Sequence, residues 1–250
     1  MVGTVLTLPG ATAAELLSEP FDLVWIDLEH GALGPLEAQE MLIGAQAAGA
    51  HALVRIPAGS LRLMTTMLDA GADGVVLADV SDPAEAAAAT GRVTHPPEGT
   101  RGWGPRRLAL RRRGSGRQPP PPTVWAQIES SEGVQQAQAI GAVEGVDALV
   151  VGTADLSFSV GTPLDSNAPA LLDAVRSVRE AAASAGVAFG VAGALDRAPS
   201  AALQGASILV HSTDAQLCAR AMDGAAECLR VAIVPATLDD YLIVDLPGPR

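Results

Sequence analysis

Short apolar runs alternate along this chain with longer amphipathic Ala/Leu/Glu stretches at a spacing of roughly 30 residues, the rhythm of strand–helix units. The runs predict strands at Val5–Leu8, Leu23–Asp27, Ala52–Ile56, Gly74–Leu77, Val124–Ile128, Ala148–Val151, Ala188–Val191 and Ser207–His211. The stretches between them predict helices at Leu36–Ala48, Ser60–Asp69, Ala84–Arg92, Val134–Ile140, Ala168–Ala185 and Gln216–Arg230. Several strands are apolar throughout instead of alternating, as expected of parallel strands covered on both faces. Eight of them in 250 residues favour an α/β fold, a closed (β/α)8 TIM barrel, over an open sheet. No G-x-G-x-x-G opens an early helix, which removes the main support for a dinucleotide-binding fold.

Two segments break the rhythm. Pro96–Pro122 holds Arg101-Gly102-Trp103-Gly104, the cations Arg106, Arg107, Arg111, Arg112, Arg113 and Arg117, and a run of prolines. It is too long and irregular for an ordinary turn, and reads either as a solvated insert or as a lid that recruits an anionic substrate. The tail 231–250, with Pro235 and a final Pro247-Gly248-Pro249, reads as an arm packed on the barrel (1–230) or on a neighbouring subunit. No second domain is expected.

Composition narrows the chemistry. All sixteen basic residues are arginine, so every mechanism that needs a protein ε-amine is excluded. A Schiff-base aldolase, a pyridoxal-phosphate enzyme and a Walker A phosphate loop all fall under that exclusion. A net charge of −12 argues against a nucleic-acid partner. The absence of a membrane span or leader pattern gives a cytoplasmic expectation without a membrane partner. Cys218 and Cys228 read as free thiols in a reducing compartment.

In a barrel of this kind the working groups stand at the carboxyl ends of strands and in the loops that follow. Four polar positions fall there: Asp27-Leu28-Glu29-His30-Gly31, Arg55 before Ile56-Pro57, Gln127-Ile128-Glu129, and Gly152-Thr153-Ala154-Asp155-Leu156-Ser157. Any one of them alone reads as a helix cap, a surface ion pair or a structural histidine. Four successive coincidences weaken that bland reading.

These stretches, with Pro97 and Arg101-Gly102-Trp103-Gly104 between them in order and spacing, resemble the HpcH/HpaI aldolase family over roughly residues 4 to 230. The family comprises metal-dependent class II pyruvate aldolases. The resemblance implies a barrel assembled as a homo-oligomer, a hexamer or trimer of dimers with the last helix exchanged. It makes Glu129 and Asp155 ligands of a divalent cation, Mg2+ or Mn2+ with Co2+ as a third candidate. Two hard carboxylate oxygens would leave open positions for waters and a chelating 2-oxo acid. Gln127, Gly152, Thr153 and Ala154 become substrate-binding positions, Arg55 the group that stabilises an enolate, and His30 the base with Asp27 as its partner.

The implied reaction cleaves or forms 4-hydroxy-2-oxo acids through a metal-bound pyruvate enolate, with a small 2-oxo acid and an aldehyde as partners. The alternatives are an oxaloacetate decarboxylase or a biosynthetic carbon–carbon bond-forming enzyme of macrophomate-synthase type. More remote are a CoA-ester lyase and a degenerate scaffold barrel. The chain departs from the family at Leu28, expected to narrow an acceptor pocket or change a backbone angle. Thr153 is expected to add a hydroxyl near the metal, and His211 either packs or touches substrate.

Overall fold

The computed structural model describes residues 1–104, 107–110 and 120–232, without the side chains of Arg197, Val231 and Ala232. Eight strands alternate with helices: β1 (Val2–Leu6), α1 (Ala11–Ser18), β2 (Leu23–Asp27), α2 (Pro35–Ala47), β3 (His51–Ile56), α3 (Leu61–Asp69), β4 (Gly74–Leu77) and α4 (Pro83–Val93). After the long segment come β5 (Thr123–Ile128), α5 (Ser131–Gly141), β6 (Ala148–Gly152), α6 (Thr153–Ser159), α7 (Pro169–Ala185), β7 (Ala188–Gly193), α8 (Ser200–Leu203), β8 (Ile208–Thr213) and α9 (Asp214–Ala232). The strands pair in parallel in sequence order and β8 closes on β1, so the expected TIM barrel forms.

Alternation along each strand sorts the core into two layers. Val24, Ile26, Val54, Ile56, Leu149 and Val151 face the helices. Leu23, Trp25, Leu53, Val76, Trp125, Val150 and Val210 fill the barrel. Trp25 and Trp125 meet edge-on there, with ring centroids 6.2 Å apart. One step further along the inward phase the side chains turn polar: Asp27 follows Trp25, Arg55 follows Leu53, and Gln127 follows Trp125. The aromatic plug is thus the floor of a polar mouth at the carboxyl ends of the strands.

The opposite face is closed by a repeated device. Asp22, Asp73 and Asp147 each stand one residue before β2, β4 and β6. Each accepts through its carboxylate from the first or second backbone N–H of the preceding strand: Val2 at 2.8 Å, Ala52 at 3.0 Å and Val124 at 2.7 Å. Their carbonyls accept from His51, Thr123 and Ala188 of the following strand. Asp73 also holds the Gln46 amide at 2.9 Å. Asp73→Ala strands the buried Ala52 N–H and is expected to cost about 1–3 kcal/mol in urea unfolding. Asp73→Asn, whose amide oxygen still accepts, recovers part of that loss.

The arginine-rich segment corrects an expectation. It joins α4 to β5, and its described residues 96–104 and 107–110 contact this same amino-terminal face. Arg101 pairs with Asp69 at the end of α3 at 2.7 Å, and Arg107 donates to Gln46 at 2.8 Å and to the Ala70 carbonyl at 3.2 Å. Its described part therefore cannot cover the mouth as a lid. Arg106, Arg111, Arg112, Arg113 and Arg117 lie outside the described residues.

Residues 1–215 form one compact unit and 216–250 a second, smaller one. Within the second, the expected helix is present and Met222 and Leu229 are exposed. The expected arm lies, from residue 233 onward, outside the described residues. No described helix is long and apolar enough to cross a membrane.

Candidate active site

Strand register assembles the centre. Asp27 of β2 is the direct neighbour of Arg55 of β3, both on the inward phase. The guanidinium grips Asp27 in a fork, Nε to Oδ1 at 3.0 Å and Nη2 to Oδ2 at 2.7 Å. Its remaining edge, Nη1, faces Gln127 Oε1 at 3.5 Å and Glu29 Oε2 at 3.2 Å. Gln127 continues the chain, its amide donating to Glu129 Oε2 at 2.6 Å. Asp27, Arg55, Gln127 and Glu129 are all buried.

Backbone also reaches Glu129. Asp79 follows β4 with φ of 45°, and this left-handed conformation accompanies an N–H that donates to Glu129 Oε1 at 2.9 Å. Gly152 presses against the same carboxylate. A Cβ there would collide with Glu129 Oε2 and lie 2.7 Å from the Gln127 amide nitrogen, so only glycine lets β6 approach so closely.

The electrostatics are lopsided. Burial, the Glu29 and Asp155 carboxylates together outweigh Arg55 and push Glu129 up to about 8. Glu29 is also raised, chiefly by burial, against the pull of Arg55 and His30. Burial would raise Asp27, but the hydrogen bonds and charge of Arg55 hold it below the usual carboxylate range. Arg55 in turn is held above its ordinary value, because Asp27, Glu29 and Glu129 outweigh its own burial. Four carboxylates thus share one arginine, and the shortfall in positive charge falls on Glu129.

That shortfall is what a divalent cation would fill. Glu129 and Asp155 could supply hard oxygens to such a cation, and two protein ligands would leave positions open for substrate. Among the described residues no three His, Cys, Asp or Glu side chains converge as a ready-made metal cage.

Several expectations need correction. The expected Asp27–His30 side-chain pair does not form, because both Asp27 oxygens are committed to Arg55 and to the Glu29 and His30 backbone N–H groups. The carboxylate nearest the His30 ring is Glu29, with Oε2 at 3.8 Å from Nε2. The ring is 65% exposed, at the rim of the mouth. Glu29 is the residue that sequence reasoning passed over, although the spacing of Asp27-Leu28-Glu29-His30 already places it beside the histidine. Leu28 does not narrow a pocket: it is buried in the outer core, with its N–H on the Arg55 carbonyl.

Thr153 turns its hydroxyl to the Ala192 carbonyl at 3.0 Å, so its polar group ties α6 to β7 instead of joining Glu129. Ala154 and Asp155 lie exposed on the first turn of α6. His211 accepts the Leu195 N–H on Nδ1 at 3.1 Å and steadies the loop after β7, which is the packed reading of that histidine.

The model of the HpcH/HpaI aldolase/citrate lyase family matches residues 6–221. A hydroxypyruvate/pyruvate aldolase of Rhizorhabdus wittichii is 34% identical over 192 residues, 74% of this chain and 76% of its own length. A 4-hydroxy-2-oxovalerate aldolase of Rhodococcus jostii is 33% identical over 202 residues, 74% of this chain and 76% of its own. Among solved structures, a HpcH/HpaI aldolase/citrate lyase family protein from Burkholderia cenocepacia superposes with a TM-score of 0.82 at 31% identity, covering 92% of this chain and 94% of that one. By sequence and by its closed parallel barrel alike, the chain belongs to the HpcH/HpaI aldolase/citrate lyase family.

Proposed function

We propose that the protein is a divalent-metal-dependent aldolase that cleaves or forms 4-hydroxy-2-oxo acids, with pyruvate as the enolate component. The observation that carries this reading is the unbroken chain Asp27–Arg55–Gln127–Glu129 beneath an excess of carboxylates, in a protein without lysine. Carbonyl activation by a lysine imine is excluded, and Arg55, the buried cation at the mouth among the described residues, is already aimed. The names of the Rhizorhabdus and Rhodococcus relatives agree with this chemistry.

Glu129 and Asp155 would hold the cation, which when bound supplies Lewis-acid polarisation of the substrate's 2-oxo group. Gln127 and the Gly152-Thr153-Ala154 backbone orient the substrate. His30, with Glu29 beside it, accepts the proton of the 4-hydroxyl. The C4–O bond becomes a carbonyl, and the C3–C4 bond breaks. Its electron pair passes into the 2-oxo acid as an enolate, and C4 leaves in the aldehyde. Arg55 Nη1 donates to the enolate oxygen, a charge-assisted hydrogen bond that strengthens as negative charge develops there. Protonation of C3 completes pyruvate. Asp27 is a positioning residue, fixing the guanidinium so that this edge faces the substrate. A cytoplasmic homo-oligomer, hexameric or a trimer of dimers with the barrel 1–230 and the arm 231–250, completes the proposal.

Pyruvate in D2O tests the enolate step without any knowledge of the acceptor. The expected result is exchange of the methyl protons with Mg2+ or Mn2+, abolished by EDTA and restored by added metal. Exchange indifferent to EDTA would overturn the metal-dependent reading.

A further inference from the structure

Beside the mouth, between the carboxyl ends of β6 and β7, lies a pocket of about 250 Å³. Thr153 and Ala154, from the segment that precedes Asp155, form one wall; Leu164, Leu171, Val175 and Ala198 form much of the rest. We propose that this pocket receives an apolar side chain of the acceptor aldehyde, branched aliphatic or aromatic, and so sets acceptor preference. The proposal rests on the aldolase reading above and extends it to a substrate class.

Three observations carry it. First, the polar groups in the lining are already committed. The Thr153 hydroxyl donates to Ala192, and the Ser157 hydroxyl donates to the Ala154 carbonyl while accepting the Leu164 N–H at 2.8 Å. Ser166 also has a partner. Second, none of the described side chains in the lining carries a charge, so a carboxylate, phosphate or polyol chain entering here would lose water and gain no partner. Third, the volume falls below the roughly 300–1,000 Å³ of sites that enclose a whole small ligand. It suits one arm of a substrate whose reacting end stays over Glu129.

A second pocket, of about 160 Å³ between β3, β4, α3 and α4, is the weaker candidate. It is smaller and contains none of the substrate-binding segment.

Acceptor competition on the intact protein tests the proposal, with pyruvate methyl exchange measured alongside in the absence of acceptor. Wild type is expected to prefer 3-methylbutanal to glycolaldehyde by at least about tenfold in kcat/KM, since each buried methylene contributes a few-fold. Ala198→Phe, which fills the pocket from the half-buried loop before α8, is expected to erase that preference. Exchange and glycolaldehyde turnover should stay within about twofold of wild type, reporting an intact fold and site. Ala194→Leu at the exposed rim gives the same direction with a smaller effect if the larger side chain is not accommodated. Normal exchange with no preference for the apolar aldehyde, or a preference that survives both substitutions, overturns the pocket assignment alone. Absence of metal-dependent exchange in wild type overturns the underlying aldolase reading, and the acceptor role with it.

Discussion

Arg55→Ala is expected to abolish detectable metal-dependent pyruvate exchange and to destabilise the barrel by about 3–5 kcal/mol. The stability loss follows from geometry. Arg55 satisfies both oxygens of Asp27, which is only 1% exposed, and also neutralises Glu29. Its removal leaves buried carboxylates without a counter-charge. Asp27 has a depressed value in the folded state, so its contribution to stability is present above the ordinary carboxylate range and is lost as pH falls through the folded value. Without Arg55 that acid limb should disappear, and stability should rise as pH drops and the stranded acids take up protons. On the proposed mechanism the activity loss has a separate cause, a donor missing from the enolate oxygen, with an expected size of at least about 10²–10³. The double variant Asp27→Ala/Arg55→Ala separates the two. It should recover much of the stability, because the orphaned charge is gone, and none of the exchange. Urea unfolding at two pH values and methyl exchange read both quantities. Activity retained in Arg55→Ala would remove arginine from the mechanism.

The barrel was legible because its strands are buried on both faces and read as unbroken apolar runs, such as Leu23–Ile26 and Ala148–Val151. Their ends were less so. β1 begins at the exposed Val2 and β8 runs on through Ser212 and Thr213, since backbone pairing continues where hydrophobicity stops. Helices α1 and α8 went unseen; at eight and four residues they are too short to establish a period. The polar mouth was legible as a set of strand ends, and its internal pairing was not. Reading along the sequence joined Asp27 to His30 three residues away. The fold joins it to Arg55 across the β2–β3 register, which aligned strands would have revealed. The placement of Arg101 and Arg107 was also available from chain order, because a helix-to-strand connection in a barrel starts and ends away from the mouth. Contacts that depend on backbone shape, such as the Asp79 N–H on Glu129, leave no mark in residue type.

Glu129→Gln should separate the metal from the fold. The amide keeps the oxygen that accepts the Asp79 N–H and removes the charge that burial and the neighbouring carboxylates oppose. In the metal-free protein this substitution is expected to be neutral or stabilising near pH 8. The sign follows from a folded value of about 8, well above the ordinary carboxylate range. The folded state holds a proton on Glu129 that the unfolded chain releases, so this contribution is fully present at low pH. It is lost as pH climbs through the interval up to about 8. Wild type without metal should therefore weaken across that window, by an amount on the order of a few kcal/mol, and Glu129→Gln should not. On the proposed reading divalent cation is expected to reverse the trend, binding the deprotonated form and stabilising the folded state by mass action. Below pH 8 its apparent affinity should rise up to about tenfold per pH unit as one proton is displaced. The variant should lose both that slope and the metal-dependent exchange, the latter by about 10³ or more. Calorimetric titration in two buffers of different ionisation enthalpy counts the released proton directly. A Glu129→Gln protein that binds Mg2+ as tightly as wild type, with the same proton release, would show that the carboxylate with the largest unmet charge is not the one that holds the metal.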